Sequence, residues 1–230
     1  MKSNIYKINN AVEKIKSGRN TQFLDGKELK LTTTKLKKEE YKVYFPYKDA
    51  EKVMLYTGKA PMVSLFKINT VEKLRHQDIL GSLFALNIDS SYFGDIVLYD
   101  GCYYVYVVHE ISSFIRDNLT TIGKYKVVLE EVDLKVLEDY ERSYEEHQVI
   151  ISSLRIDSVV AAIINSSRKV ATEKLKNKEI IVNYEVVSKS AYALKENDIF
   201  SIKRYGKYKF IGIIKSTKKD NYIVKYLKYL

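Results

Sequence analysis

The chain reads as an α+β protein in three segments: a mostly helical N-terminal segment, a central mixed segment, and a C-terminal pair of helices with an antiparallel sheet. Three observations predict this. Strand and helix periodicities alternate through residues 61–133 in the order β-α-β-β-α-β. Ile156, Val159, Val160, Ile163 and Ile164 fall at i, i+3, i+4, i+7 and i+8, an amphipathic helix with a second helix and several β-rich runs behind it. The charge is also uneven. From Ser152 to Leu230 there are 17 Lys and Arg against 7 Asp and Glu, whereas residues 1–151 carry 22 of each.

The first segment, 1–60, opens with Ile5, Ala11, Val12 and Ile15 at helical spacing. A turn at Asp25-Gly26 leads into a Lys/Glu-rich stretch ending at Glu40. Residues 41–45 read as a strand and 48–57 as a helix. In the second segment, 61–133, Met62–Ile68 is strand-like, and Ile79, Leu80, Leu83, Phe84 and Leu86 give a helical rhythm over His76–Leu86. Asp95–Tyr99 and Cys102–Val108 are β-rich runs joined by Asp100-Gly101, a dipeptide suited to a tight hairpin. Ile111, Phe114, Ile115 and Leu119 describe a helix, and Lys126–Val132 a closing strand. This order is that of the ferredoxin-like arrangement, shared with many RNA-recognition (RRM-like) sheets. Residues 134–151 form an acidic connection that reads as a solvated linker rather than a partner of the basic third.

The third segment, 152–230, contains the two helices, with Asn165-Ser166-Ser167 between them and either serine available as a cap. Val170, Ala171 and Leu175 share one side of the second helix. Strands follow over Glu179–Val187, Ile199–Arg204, Lys207–Ser216 and Tyr222–Leu227.

Bulk composition narrows the function. A hydrophobic content of 46% is enough for ordinary cores. The single Cys102 excludes an internal disulfide and fits a reducing, cytoplasmic setting. No run has the length of a signal peptide or of a membrane span, about 20 apolar residues, so a membrane partner is not expected. His76, His109 and His147 are scattered without metal-ligand spacing. There is no P-loop and no GxGxxG, and the 9 glycines never cluster, so no small-molecule cofactor is expected. A neutral two-thirds joined to a basic third reads as a polyanion-binding module attached to something else. Nucleic acid is the expected polyanion, since phosphate contacts gain from counterion release.

One string carries a motif. Arg155-Ile156-Asp157, Ser167-Arg168-Lys169-Val170-Ala171 and Ile180-Ile181-Val182-Asn183 follow an Arg-hydrophobic-Asp start, a Ser-Arg-x-x-Ala helix and a hydrophobic-x-hydrophobic-Asn strand. This resembles the alpha-L, S-four-like RNA-binding module. Asn197-Asp198 before Ile199 fits the polar turn that usually precedes the module's last strand. The family often has Gly where Lys178 stands, and Asn177 beside it can also tolerate a left-handed conformation. Arginines at helix starts grip phosphates bidentately, and helix N-termini add N–H donors. The expected RNA-binding residues are Arg155, Asp157, Ser167, Arg168, Lys169, Lys174, Lys176, Lys178, Asn183, Lys203, Arg204 and Lys207. Within this set Asp157 is expected to be structural, orienting Arg155 or Arg168 or capping a helix. The bland alternative makes the two arginines surface ion pairs with Asp157 or Glu173.

The resemblance extends along the chain. FLDGKE at 23–28, KDAEKV at 48–53, HQDILGSLFALNI with FGDIVLYDG at 76–101, NLTTIGKYKVVLEEV at 118–132 and SIKRYGKYKF at 201–210 are similar to the YlmH family. Gln77 stands where that family prefers Pro. The resemblance implies a bacterial, cytoplasmic, monomeric RNA-binding protein without catalytic activity and without cofactors. It further implies action in ribosome-associated quality control, on the large ribosomal subunit, with contacts to ribosomal RNA and to a stranded peptidyl-tRNA.

Tyr104 and Tyr106 would lie on the open face of the central sheet if Val105 and Val107 face its helices. Aromatics there stack bases in RNA-recognition sheets. The segment is not basic, however, and packing against the first segment is the favoured reading. Two other functions compete. Alpha-L modules are often fused to RNA-modifying enzymes such as pseudouridine synthases, but residues 1–151 show no catalytic acid or cofactor loop of their own. A cell-division scaffold is the third reading.

Overall fold

The computed structural model describes residues 2–217 and 220–229. The chain divides into two compact units, Met1–Glu141 and Arg142–Leu230.

In the first unit, α1 (Lys2–Lys16) buries Ile8, Ala11 and Ile15, while Ile5 is exposed. The apolar stripe therefore starts one turn later than the sequence reading placed it. Asp25 proves to be a helix cap. It accepts from the Glu28 N–H while Glu28 reaches back to the Asp25 N–H, and this capping box opens α2 (Gly26–Thr33). Strand β1 (Lys42–Tyr44) pairs antiparallel with β2 (Met54–Tyr56). The helix expected over 48–57 is thus replaced by turns and a strand. Val53, Met54 and Leu55 are all buried, which one helical face cannot achieve with three consecutive residues.

The central elements are β3 (Val63–Asn69), α3 (His76–Ala85), β4 (Phe93–Tyr99), β5 (Cys102–Val108), α4 (Ser112–Asn118), the short pair β6 (Thr121–Ile122) and β7 (Tyr125–Lys126), and β8 (Val128–Val132). The four long strands form an antiparallel sheet in the order β4-β5-β3-β8. This is the ferredoxin-like order, with the first and third strands side by side at the centre. Asp100 and Gly101 both have positive φ, 46° and 71°, and turn β4 into β5 with Tyr99 opposite Cys102.

The sheet has two covered faces. Val105 and Val107 pack with Ile79, Leu83 and Ile115 from α3 and α4. On the other face Tyr104 and Tyr106 are buried with Phe23, Tyr47, Met54 and Leu65. Tyr106 stacks on Tyr47 at 5.9 Å, and burial pushes its phenol well above the ordinary tyrosine range. Gly94 permits this layer. A Cβ there would sit 3.0 Å from the Phe23 ring and from Tyr106 Cβ. Leu137 seals the layer at 1% exposure, and Tyr140 packs edge-on to Tyr47 and Tyr99.

In the second unit, β9 (Tyr144–Ile151) leads into α5 (Ile156–Ile163) and α6 (Arg168–Lys176). Strands β10 (Ile180–Val182), β11 (Glu185–Val186), β12 (Ile199–Ile202), β13 (Gly206–Ser216) and β14 (Tyr222–Tyr229) follow. They form a six-stranded sheet in the order β11-β10-β12-β13-β14-β9, with antiparallel neighbours throughout. The single strand expected over Glu179–Val187 is in fact the hairpin β10–β11. Asn183 and Tyr184 turn it with φ of 48° and 66°.

The acidic connection at 134–151 is not a solvated linker. Its first part caps the first unit's core through Leu137. Its second part is β9, paired with β14 over eight residues. Glu146 and Glu145 form ion pairs with Lys225 and Lys228. The acids lie against part of the basic third because β9 pairs with the lysine-bearing β14, with Glu145 directly opposite Lys228.

Candidate RNA-binding surface

The second unit carries 18 basic and 9 acidic residues, so nearly all the net charge of +10 belongs to it. Its core explains where the functional side chains stand. Ile156, Val159 and Val160 of α5 and Ala171 and Leu175 of α6 are buried together with Phe200, Phe210 and Val224 of the sheet. Ala171 is fully buried, and having only a methyl group it lets the two helices approach. Val170 is 37% exposed and does not share that face.

Arg155 is the N-cap residue of α5, and the segment after β11 anchors the helix start. Ile156 N–H donates to Tyr192 O at 2.7 Å and Leu194 N–H to Leu154 O at 3.0 Å. Arg168 is the first residue of α6, which Ser167 caps by accepting from Val170 N–H. Both arginines converge on Asp157. Arg155 donates through Nε and Nη2 at 3.2 and 3.1 Å, and Arg168 Nη2 lies 2.9 Å from each carboxylate oxygen. The Asp157 side chain is 5% exposed, whereas those of Arg155 and Arg168 are 45% and 48% exposed. Burial raises the Asp157 carboxyl, but the bonds from Arg155 and Arg168 outweigh it and hold the group below the usual aspartate range. One buried anion therefore orients two half-exposed cations. Asp157 itself is out of reach of a ligand. The ion pairing foreseen as the bland alternative exists, and it leaves about half of each arginine side chain exposed to solvent.

The far end of α6, about 13 Å along the helix, forms a second cationic group. Lys174 pairs with Glu179 at 2.9 Å and lies over the Tyr205 ring at 5.1 Å. The hydrogen bond from Lys174 holds Glu179 below the ordinary glutamate range, helped by the fields of Lys203 and Arg204. Lys203 N–H donates to Glu179 O, which ties the turn between β12 and β13 to the helix end. Lys169 and Lys176, seven residues apart, share the exposed face of α6.

Several of the expected contact residues also hold structural roles. Asn183 donates to Asp198 Oδ1 at 2.7 Å and accepts from Ile199 N–H at 3.0 Å, so its amide locks the hairpin to β12. Lys178, not Asn177, is the left-handed residue, with φ of 58°. Glu179 N–H bonds back to Lys174 O and Lys178 N–H to Leu175 O, a Schellman end. Lys207 Nζ lies 5.6 and 5.0 Å from the ring centres of Tyr184 and Tyr229, so its charge faces rings of its own chain. The sequence reading missed Glu179, whose only signal was its place directly after the helix. Tyr104 and Tyr106 are core residues, and base stacking on them is closed off.

Among the described residues no group of His, Cys, Asp and Glu side chains is placed to hold a metal ion, and no helix is long and apolar enough to cross a membrane.

A family model described as "Putative RNA-binding domain in YlmH" matches residues 62–136. The chain is 33% identical over 149 residues to the ribosome-associated protein quality control protein P2 of Bacillus subtilis (strain 168). That match covers 65% of this chain and 58% of the relative, so it spans rather more than half of the relative's length. A solved structure, the cell division protein ylmH from Streptococcus pneumoniae, aligns with a TM-score of 0.48 at 19% identity, covering 60% of this chain and 94% of that one. By the family model on its central segment and by its identity to the Bacillus subtilis protein, the chain is similar to the YlmH family.

Proposed function

We propose that this protein is a non-enzymatic RNA-binding factor of the ribosome, and that its second unit is the S-four-like module that grips the RNA. The observation that carries this reading is the buried Asp157 holding Arg155 and Arg168 side by side with about half of each side chain exposed. Two oriented guanidinium groups on a unit with a large positive balance suit contact with phosphates. Lys169, Lys176 and the cations near Glu179 extend the same electrostatic footprint. Asp157 is taken up by two arginines and sits below the usual carboxylate range, which makes it a holder of cations rather than a proton acceptor.

The name of the Bacillus subtilis relative supports ribosome-associated quality control as the setting. In this reading the RNA partners are ribosomal RNA and tRNA on the large subunit. The description of the family model over residues 62–136, a putative RNA-binding domain, supports RNA contact there as well. Since both faces of that sheet are covered, RNA contact there would use the rim of the unit.

The test is co-sedimentation with purified large ribosomal subunits. Arg155→Ala with Arg168→Ala is expected to abolish most binding while circular dichroism and the melting temperature show a folded chain. Wild-type binding should fall steeply with salt. A folded double variant that still sediments with the subunits would overturn the assignment.

A further inference from the structure

The first unit contains a cleft that the arginine site does not use, with a volume of about 320 Å³. It is lined by the last turn of α1 at Lys14, residues 20–22, residues 59–62, and the end of β5 with His109 and Glu110. Its floor is apolar: Met54 is 2% exposed and Pro61 is buried, while Met62 stands at the rim, 70% exposed. Its walls are polar. Asn20 Nδ2 donates to Lys59 O and joins two of the lining segments. Gln22 is half-buried, and among the described residues its side-chain amide has no hydrogen-bond partner. The His109 ring is fixed by a 2.9 Å bond between Nδ1 and the buried Ser64 hydroxyl, which leaves Nε2 for a ligand.

We infer that this cleft binds one unpaired nucleotide of an RNA. The volume lies at the lower end of small-ligand sites, about 300–1,000 Å³, which suits a single base with its sugar. Thioether and proline surfaces take the flat face of a base, and side-chain amides read its hydrogen-bonding edge. Two lysines, Lys14 and Lys59, stand against one carboxylate, Glu110, so the lining favours a phosphate. Lys14 adds a second reason. Burial lowers the affinity of its amine for a proton, only partly countered by Glu110. A partly desolvated ammonium of this kind gains when a phosphate approaches. The aromatic sheet face is closed, and this rim cleft offers a base another place on the first unit. The inference is independent of the arginine site in the second unit.

The experiment uses the full chain with Arg155→Ala and Arg168→Ala, so that the second unit contributes little. Binding of a fluorescent single-stranded tetranucleotide is measured by anisotropy. A tetranucleotide containing 4-thiouridine is crosslinked and the attached peptides are identified by mass spectrometry. The expected crosslinks fall on peptides carrying residues 54–62 or 109. Gln22→Ala and, on the exposed loop, Lys59→Glu should each weaken binding about tenfold without moving the melting temperature. The tetranucleotide should bind at least tenfold tighter than a nucleoside monophosphate. Equal affinity for the monophosphate would overturn the RNA assignment in favour of a free nucleotide. Crosslinks confined to the second unit, or unchanged affinity in both variants, would overturn the site. Neither result touches large-subunit binding by the wild-type chain, which tests the arginine site separately.

Discussion

Replacing Asp157 by Asn separates two ways in which Arg155 and Arg168 can act. If they contribute only charge, removing a nearby carboxylate strengthens RNA binding. If they contribute oriented charge, removing it weakens binding, because four hydrogen bonds at 2.9–3.2 Å hold the two side chains in place. Re-ordering a freed arginine on binding costs about 0.5–1.5 kcal/mol, so two cost about 1–3 kcal/mol. Against this, deleting one negative charge about 7 Å from a bound phosphate gains about 0.6 kcal/mol at the dielectric of water. The net loss is about 0.5–2.5 kcal/mol, or roughly two- to sixtyfold in affinity. The fold also suffers. Charge-assisted hydrogen bonds are worth about 1.5–3 kcal/mol when dry, but these arginines are nearly half exposed, so the destabilisation should be nearer 1–2 kcal/mol. For a unit of this size that lowers the melting temperature by about 4–15 °C. Filter binding to a ribosomal RNA fragment at fixed salt, beside thermal unfolding, measures both. Affinity that is unchanged or tighter in a folded Asp157→Asn variant would refute the positioning argument. The pH dependence has a definite sign. The Asp157 pKa is lowered in the folded state, so its stabilisation is present above the unfolded aspartate pKa and is lost only as pH falls through the lower folded value. From pH 5 to 8 this group should leave binding unaltered.

Three other outcomes are expected. Tyr106→Leu should destabilise the first unit by about 2–4 kcal/mol through the cavity it leaves, with tetranucleotide affinity unchanged in the remaining folded protein. A selective loss of affinity would show the tyrosine face to be open. Lys178→Gly should stabilise the second unit by about 0.5–1 kcal/mol, since φ is 58° and the end of α6 is already closed by backbone bonds; a lower unfolding midpoint in urea would contradict this. Lys52 donates to Ser90 O and Phe93 O, and burial lowers its pKa to about 8 despite the opposing fields of Asp95, Glu28 and Asp25. The unfolded chain binds that proton more tightly, so stability should rise from pH 8 to 10, and Lys52→Met should flatten the rise. An unfolding midpoint with no such slope in the wild type would remove Lys52 as its source.

What the sequence made legible follows from the range of the forces involved. The hairpin at Asp100-Gly101 and the start of α5 are set by residues adjacent in the chain, and both stand where their local pattern put them. Residues 48–57 and 134–151 failed for one shared reason. Lys, Glu and Asp are frequent in both stretches, and local propensity then favours helix or solvated coil. What decides them is distant. Leu24 N–H and O pair with Val53, and β14 offers a complete hydrogen-bonding edge to β9. Tertiary pairing of this kind overrides propensity and leaves little trace in a window of ten residues.

The motif residues themselves divide by a criterion that a single sequence cannot display. Arg155 and Arg168 keep about half of their side-chain surface, while Asp157 is buried and Asn183 is consumed by Asp198 and the Ile199 N–H. A pattern of residue types records all four alike, because both kinds of position tolerate little change. A buried Asp between two arginines has no substitute of equal charge and length, and an Asn at φ 48° with both amide atoms bonded has few substitutes of any sort. The positions that meet RNA by net charge alone, such as Lys169 and Lys176, have no such constraint. Their contact energy comes from counterion release, which depends on how many charges lie near the phosphates more than on which lysine supplies each. Loss of either lysine should therefore reduce the salt dependence by about one phosphate contact, whereas loss of either arginine should remove both charge and geometry.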